Sequence, residues 1–84
     1  MTDRIASTVA VLRAWCEREG HHVAPDGSVY EDVAALILDR RPGTLANWRS
    51  NGGSLVPFYR SGRTGRIRYR LADLAEYLEE QRCW

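Results

Sequence analysis

The sequence predicts an α+β fold in which short helices surround a single two-stranded hairpin. Three observations carry this. Apolar residues recur at helical spacing in four separate stretches. One stretch, "RIRYR" (66–70), alternates strictly between arginine and an apolar or aromatic residue. Between these runs stand Pro-Asp-Gly (25–27), Arg-Pro-Gly (41–43), Asn-Gly-Gly (51–53) and "SGRTG" (61–65), all of them turn chemistry. With 84 residues the chain suits one small domain with a modest core.

Along the chain, Ile5, Val9, Leu12, Trp15 and Cys16 share a helical face, which predicts an amphipathic helix over 3–19 with Gly20 as its stop. Pro25-Asp26-Gly27 predicts a turn, with Val23 and Val29 as extended flanks. "SVYE" (28–31) has the form of a capping box, Ser28 with Glu31, ahead of a helix buried through Val33, Leu36 and Ile37. Pro42 suits the first position of the next helix, whose inner side carries Leu45 and Trp48. Asn51-Gly52-Gly53 ends it. Two short helices with a tight connection make a helix-turn-helix. "LVPFYR" (55–60) is rich in strand formers, and Pro57 confines it to an edge or a strand start. With "RIRYR" it forms a hairpin. Ile67 and Tyr69 point one way, and Arg66, Arg68 and Arg70 the other. A closing helix follows, with Leu74, Tyr77 and Leu78 on one side. The predicted parts are a helix and turn (1–27), a helix-turn-helix (28–53), a hairpin (54–71) and a closing helix with its tail (72–84). A basic hairpin after a helix-turn-helix is the wing of a winged helix-turn-helix.

Charge separates along the chain. Residues 1–39 hold three arginines and seven acids, residues 40–72 hold eight arginines and no acid, and residues 73–84 hold one arginine and four acids. The net charge is only +1, so what matters is the basic block between two acidic ones. That is the footprint of a nucleic-acid binder that docks in one orientation. Every cationic side chain is arginine, whose planar fork suits phosphate and guanine. The two cysteines, Cys16 and Cys83, do not make a disulfide scaffold, and no apolar run reaches the length of a membrane span. No signal peptide is read at the N-terminus, so the expected location is the cytoplasm, at the nucleoid when bound. Cys16, His21 and His22 lack metal-ligand spacing, and neither a Ser-His-Asp set nor a phosphate-cradling glycine loop is present. No cofactor, metal or catalytic residue is expected. Trp15, Trp48 and the tyrosines are expected in the core rather than as base-stacking platforms.

Residues 31–78, "EDVAALILDRRPGTLANWRSNGG…PFYRSGRTGRIRYRLADLAEYL", resemble the small winged-helix proteins of the excisionase and MerR-type group. The likeness runs from Ala34 through Thr44, Leu45 and Trp48 to Tyr69, Asp73 and Leu74. The chain departs from the group at the turn, where Asp39-Arg40-Arg41 replaces a Gly-apolar-Ser sequence, and Arg41 is a poor N-cap. The resemblance implies double-stranded DNA as partner, with the second helix of the motif in the major groove and the wing on phosphates or the minor groove. On it, Asn47 and Arg49 are the expected base readers, Thr44 and Ser50 their neighbours on the outward face, Arg40 and Arg41 the contacts at the turn, and Arg60, Arg63, Thr64 and Arg66 those of the wing. Arg68 and Arg70 either join them or pair with Glu76 or Asp73.

The implied role is an excisionase-like architectural factor or a transcription regulator of a phage or mobile element, with an integrase or another DNA-bound protein beside it and self-association on DNA as a further expectation. Two alternatives stand next to it: the DNA-recognition domain of a phage terminase small subunit, and a protein-interaction adaptor whose arginine face meets an acidic partner. The apolar face of residues 1–27 either covers the winged helix away from DNA or pairs with a second copy.

Overall fold

The computed structural model describes residues 3–62 and 64–81. Helix α1 (Asp3–Arg18) leads through a turn to strand β1 (Ser28–Tyr30), helix α2 (Glu31–Leu38) and helix α3 (Pro42–Ser50). Strands β2 (Tyr59–Arg60) and β3 (Ile67–Arg70) form the wing, and helix α4 (Leu71–Glu80) closes the fold. All pairing is antiparallel in the order β1-β3-β2, so β2 is an edge strand, and Pro57 stands outside it, two residues before its start.

Three helices stop by one device. Backbone N–H groups reach back from Gly20 to Glu17 and from His21 to Cys16 at the end of α1. The same pair of bonds runs from Asp39 to Leu36 and Arg40 to Ala35, and from Gly52 to Arg49 and Gly53 to Trp48. This closure needs a residue in the left-handed region. Gly20 and Gly52 supply it without steric cost, and Asp39 takes it at φ 56. The Asp39-Arg40-Arg41 turn therefore ends α2 at Leu38 despite lacking the glycine.

The core joins the sheet's inner face to the helices. Val29, Ile67 and Tyr69 meet Leu45, Val56, Leu71 and Leu74, with Cys16 of α1 buried beside them. Val9, Leu12 and Trp15 pack against this cluster, so the apolar face of α1 is used within the chain. Thr8 Oγ1 donates to Glu79 Oε1 at 2.8 Å and Arg4 Nε lies 3.6 Å from Glu79 Oε2, which ties α1 antiparallel to α4.

Three expectations need correction. Ser28 does not cap α2: it is the first residue of β1, paired with Arg70, and its hydroxyl donates to Asp26. The N-cap of α2 is Tyr30, with no side-chain cap bond. Residues 28–30 have a strand to join, and the ladder outweighs a cap that one hydroxyl would supply. Leu36 is 58% exposed, and the buried face of α2 is Val33, Ala34, Ala35 and Leu38. Finally, only Tyr59 and Arg60 of the stretch 55–60 pair as strand. Cys83 and Trp84 lie outside the described residues.

Candidate nucleic-acid interface

Helix α3 sits where the sequence predicts. Pro42 opens it, since the missing N–H costs nothing at that position. Arg41 precedes it in extended conformation with no side-chain cap bond, and its carbonyl accepts from the Thr44 N–H at 2.9 Å. Leu45 is buried and Trp48 half-buried, its ring 6.2 Å from that of Tyr77. The opposite face is left to solvent. Gly43, Asn47 and Ser50 are exposed there, with Thr44 and Ala46 half-buried at its margins, and Arg40 and Arg41 are exposed at its entry.

Arg49 is elsewhere. Its Nε and Nη2 donate to Glu31 Oε2 and Oε1, both at 2.8 Å, across 18 residues of chain. The Tyr69 hydroxyl donates to Glu31 Oε2 at 2.9 Å, and the guanidinium lies 5.7 Å from the Phe58 ring centroid. This bidentate pair is largely withdrawn from water, at 16% and 19% side-chain exposure. It bolts α3 to the start of α2 and to β3. Burial pushes the Glu31 carboxyl up, but the hydrogen bonds from Arg49 and Tyr69 and the Arg49 charge outweigh it, so the carboxyl sits below its ordinary value. Burial first, then the bond to Glu31, pushes the Tyr69 hydroxyl up to about 12.

The wing turns through Ser61 and Gly65. The Ser61 N–H donates to the Arg66 carbonyl at 2.8 Å and the Gly65 N–H to the Ser61 carbonyl at 2.7 Å. Gly65 takes φ 71, which a glycine adopts freely. Arg60, Thr64 and Arg66 are exposed around this turn, and Arg63 lies outside the described residues. Gly65 and Arg66 share a cleft of about 450 Å³ with Pro42, Tyr30 and the acids Glu31 and Asp32. The entry of α3 and the wing are thus the two banks of one groove.

The outer face of the sheet carries a second pattern. In register, Arg68 stands between Tyr30 and Tyr59, and Arg70 opposite Ser28. The Arg66 and Arg68 guanidiniums lie 3.6 and 4.4 Å from the Tyr30 ring centroid, and that of Arg70 lies 5.7 Å from the Tyr59 ring. Arg68 Nη1 and Nη2 also donate to Ser28 Oγ at 3.2 Å and Tyr30 Oη at 2.9 Å. Asp26 steadies the edge: Ser28 Oγ donates to its Oδ1 at 2.6 Å and the Tyr59 hydroxyl donates to its Oδ2. Those two bonds, the Ser28 one foremost, hold the Asp26 carboxyl below its ordinary value. Tyr30 and Tyr59 are therefore arginine platforms, which corrects the expectation that the tyrosines belong to the core; Tyr69 is a core residue as expected. Arg68 has Tyr30 and Ser28 as partners, and Arg70 has Tyr59.

Sequence reasoning missed Glu31, Tyr30 and Tyr59. The alternation of "RIRYR" places its arginines on one face, and "SVY" has the same alternation, which would have placed Ser28 and Tyr30 opposite them.

The family model of the helix-turn-helix domain matches residues 31–82, from the first residue of α2 through the wing to the end of α4. The chain belongs to this helix-turn-helix family. The excisionase-like resemblance read from residues 31–78 falls on the same segment. No curated protein and no solved structure matches the chain. As a helix-turn-helix protein it binds DNA, on a fold of four helices and a three-stranded antiparallel sheet that has the build of a winged helix. Among the described residues, no helix of this DNA-binding protein is long and apolar enough to cross a membrane.

Proposed function

We propose that this helix-turn-helix protein is a sequence-reading architectural factor or regulator of a mobile genetic element, which places α3 in the major groove and the wing on the adjoining backbone. The observation that carries the reading is the pairing of an open α3 face with a wing whose described arginines, Arg60 and Arg66, have no carboxylate within ion-pair distance, across one groove. Asn47 is the base reader, since its exposed amide can bridge an adenine edge through two hydrogen bonds. Thr44 and Ser50 flank it. Arg40 and Arg41 meet phosphates at the entry of α3, and Arg60, Arg63, Thr64 and Arg66 do so along the wing. Arg49 acts through Glu31: it sets the angle of α3 rather than reading a base.

A mobile-element role is supported by the excisionase-like resemblance of residues 31–78. Such a factor shapes DNA for a recombinase such as an integrase, or blocks a promoter, by the same docking.

Footprinting on DNA flanking the protein's own gene tests this. The expected result is one protected site. Asn47→Ala weakens that site by about 1–3 kcal/mol and leaves random duplex nearly unchanged. Equal losses on both sequences would remove α3 from base reading.

A further inference from the structure

We infer that the outer face of the sheet, built from Arg66, Arg68 and Arg70 on Tyr30 and Tyr59, is a second backbone-binding surface that holds the DNA flanking the α3 site and so bends the duplex around the wing. The inference rests on the DNA-docking reading above and extends it from Arg66, which both surfaces share, to Arg68 and Arg70, which that reading does not use.

Two observations carry it. The first is charge. Among the described residues, none of these three guanidiniums has a carboxylate within ion-pair distance. Arg66 and Arg70 lie against aromatic rings, and Arg68 against a ring and two hydroxyls. Two acids stand near Arg70, neither within ion-pair distance: Asp26, which accepts from Ser28 and Tyr59 and feels the Arg70 charge, and Asp73, which lines a cleft with Arg70 and Tyr59. Stacking on a ring orders an arginine without neutralising it and leaves N–H groups at its rim for an anion. A face meant only for solvent has no need of this ordering. Arg49 on the same fold shows the alternative, a guanidinium matched by a carboxylate.

The second observation is spacing. Alternate residues of a strand stand about 6.7 Å apart. One strand of duplex advances about 3.4 Å per phosphate along its axis. Arg68 and Arg70 on one side of β3, with Arg66 just before it, thus form a row of cations about as long as four base-pair steps. This face begins at Arg66, which also borders the groove beside Pro42, so it continues the primary surface without a break. DNA that stays on α3 and also meets Arg70 must curve around the wing.

The test compares two duplexes carrying the same site, one of about 12 base pairs and one of about 30, in the full-length protein. The main variant is Arg70→Gln, an exposed side chain against the Tyr59 ring with no carboxylate in ion-pair distance, and Arg70→Lys is its charge-keeping control. On the long duplex, Arg70→Gln should lower affinity roughly five- to tenfold near 0.1 M salt and the log–log salt slope by about one unit. It should also reduce end-to-end energy transfer between dyes on the two DNA ends. Arg70→Lys should restore most of the slope. On the short duplex both variants should match the parent.

An unchanged slope and bend on the long duplex would overturn the inference. Equal losses on both duplexes would also overturn it, since Arg70 would then act at the α3 site or on folding. Concentration-dependent pairing of two long duplexes by the parent protein, with no bend in either, would place a second duplex on this face and overturn it too. Asn47→Ala reports separately on the primary reading: it should weaken the specific site on both lengths, whatever the outcome at Arg70.

Discussion

Arg49 and Arg66 come from the same basic block, yet the structure gives them opposite surroundings. Arg49 is gripped along one edge by both oxygens of Glu31, with Tyr69 on the same carboxylate. Arg66 lies over the Tyr30 ring, 3.6 Å from its centroid, and stays exposed. A carboxylate cancels a guanidinium's charge and fixes it in place. An aromatic ring positions it and leaves the charge standing. One residue type thus does two jobs: at α3 it is a bolt, and on the wing it is an electrode. The charge count of the basic block cannot distinguish these jobs. The partner decides.

The largest effect should come from removing the bolt. Glu31→Ala leaves Arg49 without its carboxylate and the buried Tyr69 hydroxyl without its acceptor. Breaking a fully buried pair costs about 3–5 kcal/mol. This one retains some solvent, so about 2–3 kcal/mol is expected in urea denaturation. In a domain of this size that lowers Tm by roughly 10–20 °C. A loss under about 0.5 kcal/mol would show that Glu31 does not hold α3.

Acid and alkali should each release part of the same cluster. Glu31 has its folded value below its unfolded one. Its contribution is therefore present above the ordinary glutamate value near 4.5, and it is lost as pH falls through the lower folded value. Tyr69 is raised from 10 to about 12, so its contribution is present below pH 10 and lost as pH climbs toward 12. Denaturation at stepped pH should show both limbs in the parent. Glu31→Gln should flatten the acid limb and Tyr69→Phe the alkaline one. Unaltered limbs would detach both groups from the stability of the fold.

A smaller effect sharpens the other side of the comparison. Tyr30→Ala removes the platform under Arg66 and Arg68 and keeps every charge. Stability should fall by about 1 kcal/mol or somewhat more, combining lost stacking with the lost Arg68 bond. DNA affinity should fall, while the salt slope stays near the parent value because the number of cations is unchanged. A slope that drops by a full unit would mean that the ring, rather than the charge, makes the contact.

The sequence reaches some of this and stops at a definite place. Periodicity locates α1 and α4, the glycines mark the ends of α1 and α3, and Pro42 starts α3 where expected. The alternation of Ile67 and Tyr69 with the arginines is the alternation of core and surface that the sheet shows. These are local signals, carried within a few residues. The Glu31–Arg49 pair spans 18 residues and the Asp26–Tyr59 bond 33, and no local pattern encodes either. Ser28 shows the cost directly. Its capping-box spelling is genuine chemistry, but the stretch lies beside β3, and three residues of ladder take it. Asn47 and Arg49 sit two apart and read alike as outward polar residues. Only the fold shows that one faces solvent and the other a carboxylate.

The most direct test of the partner rule is the salt dependence of duplex binding for Arg49→Gln and Arg66→Gln, measured beside their denaturation curves. Arg49→Gln should destabilise the fold by about 1–2 kcal/mol and leave the log–log slope unchanged. Arg66→Gln should lower the slope by about one unit and shift stability by less than about 1 kcal/mol. A slope that falls for Arg49→Gln and holds for Arg66→Gln would reverse the two roles and contradict the account.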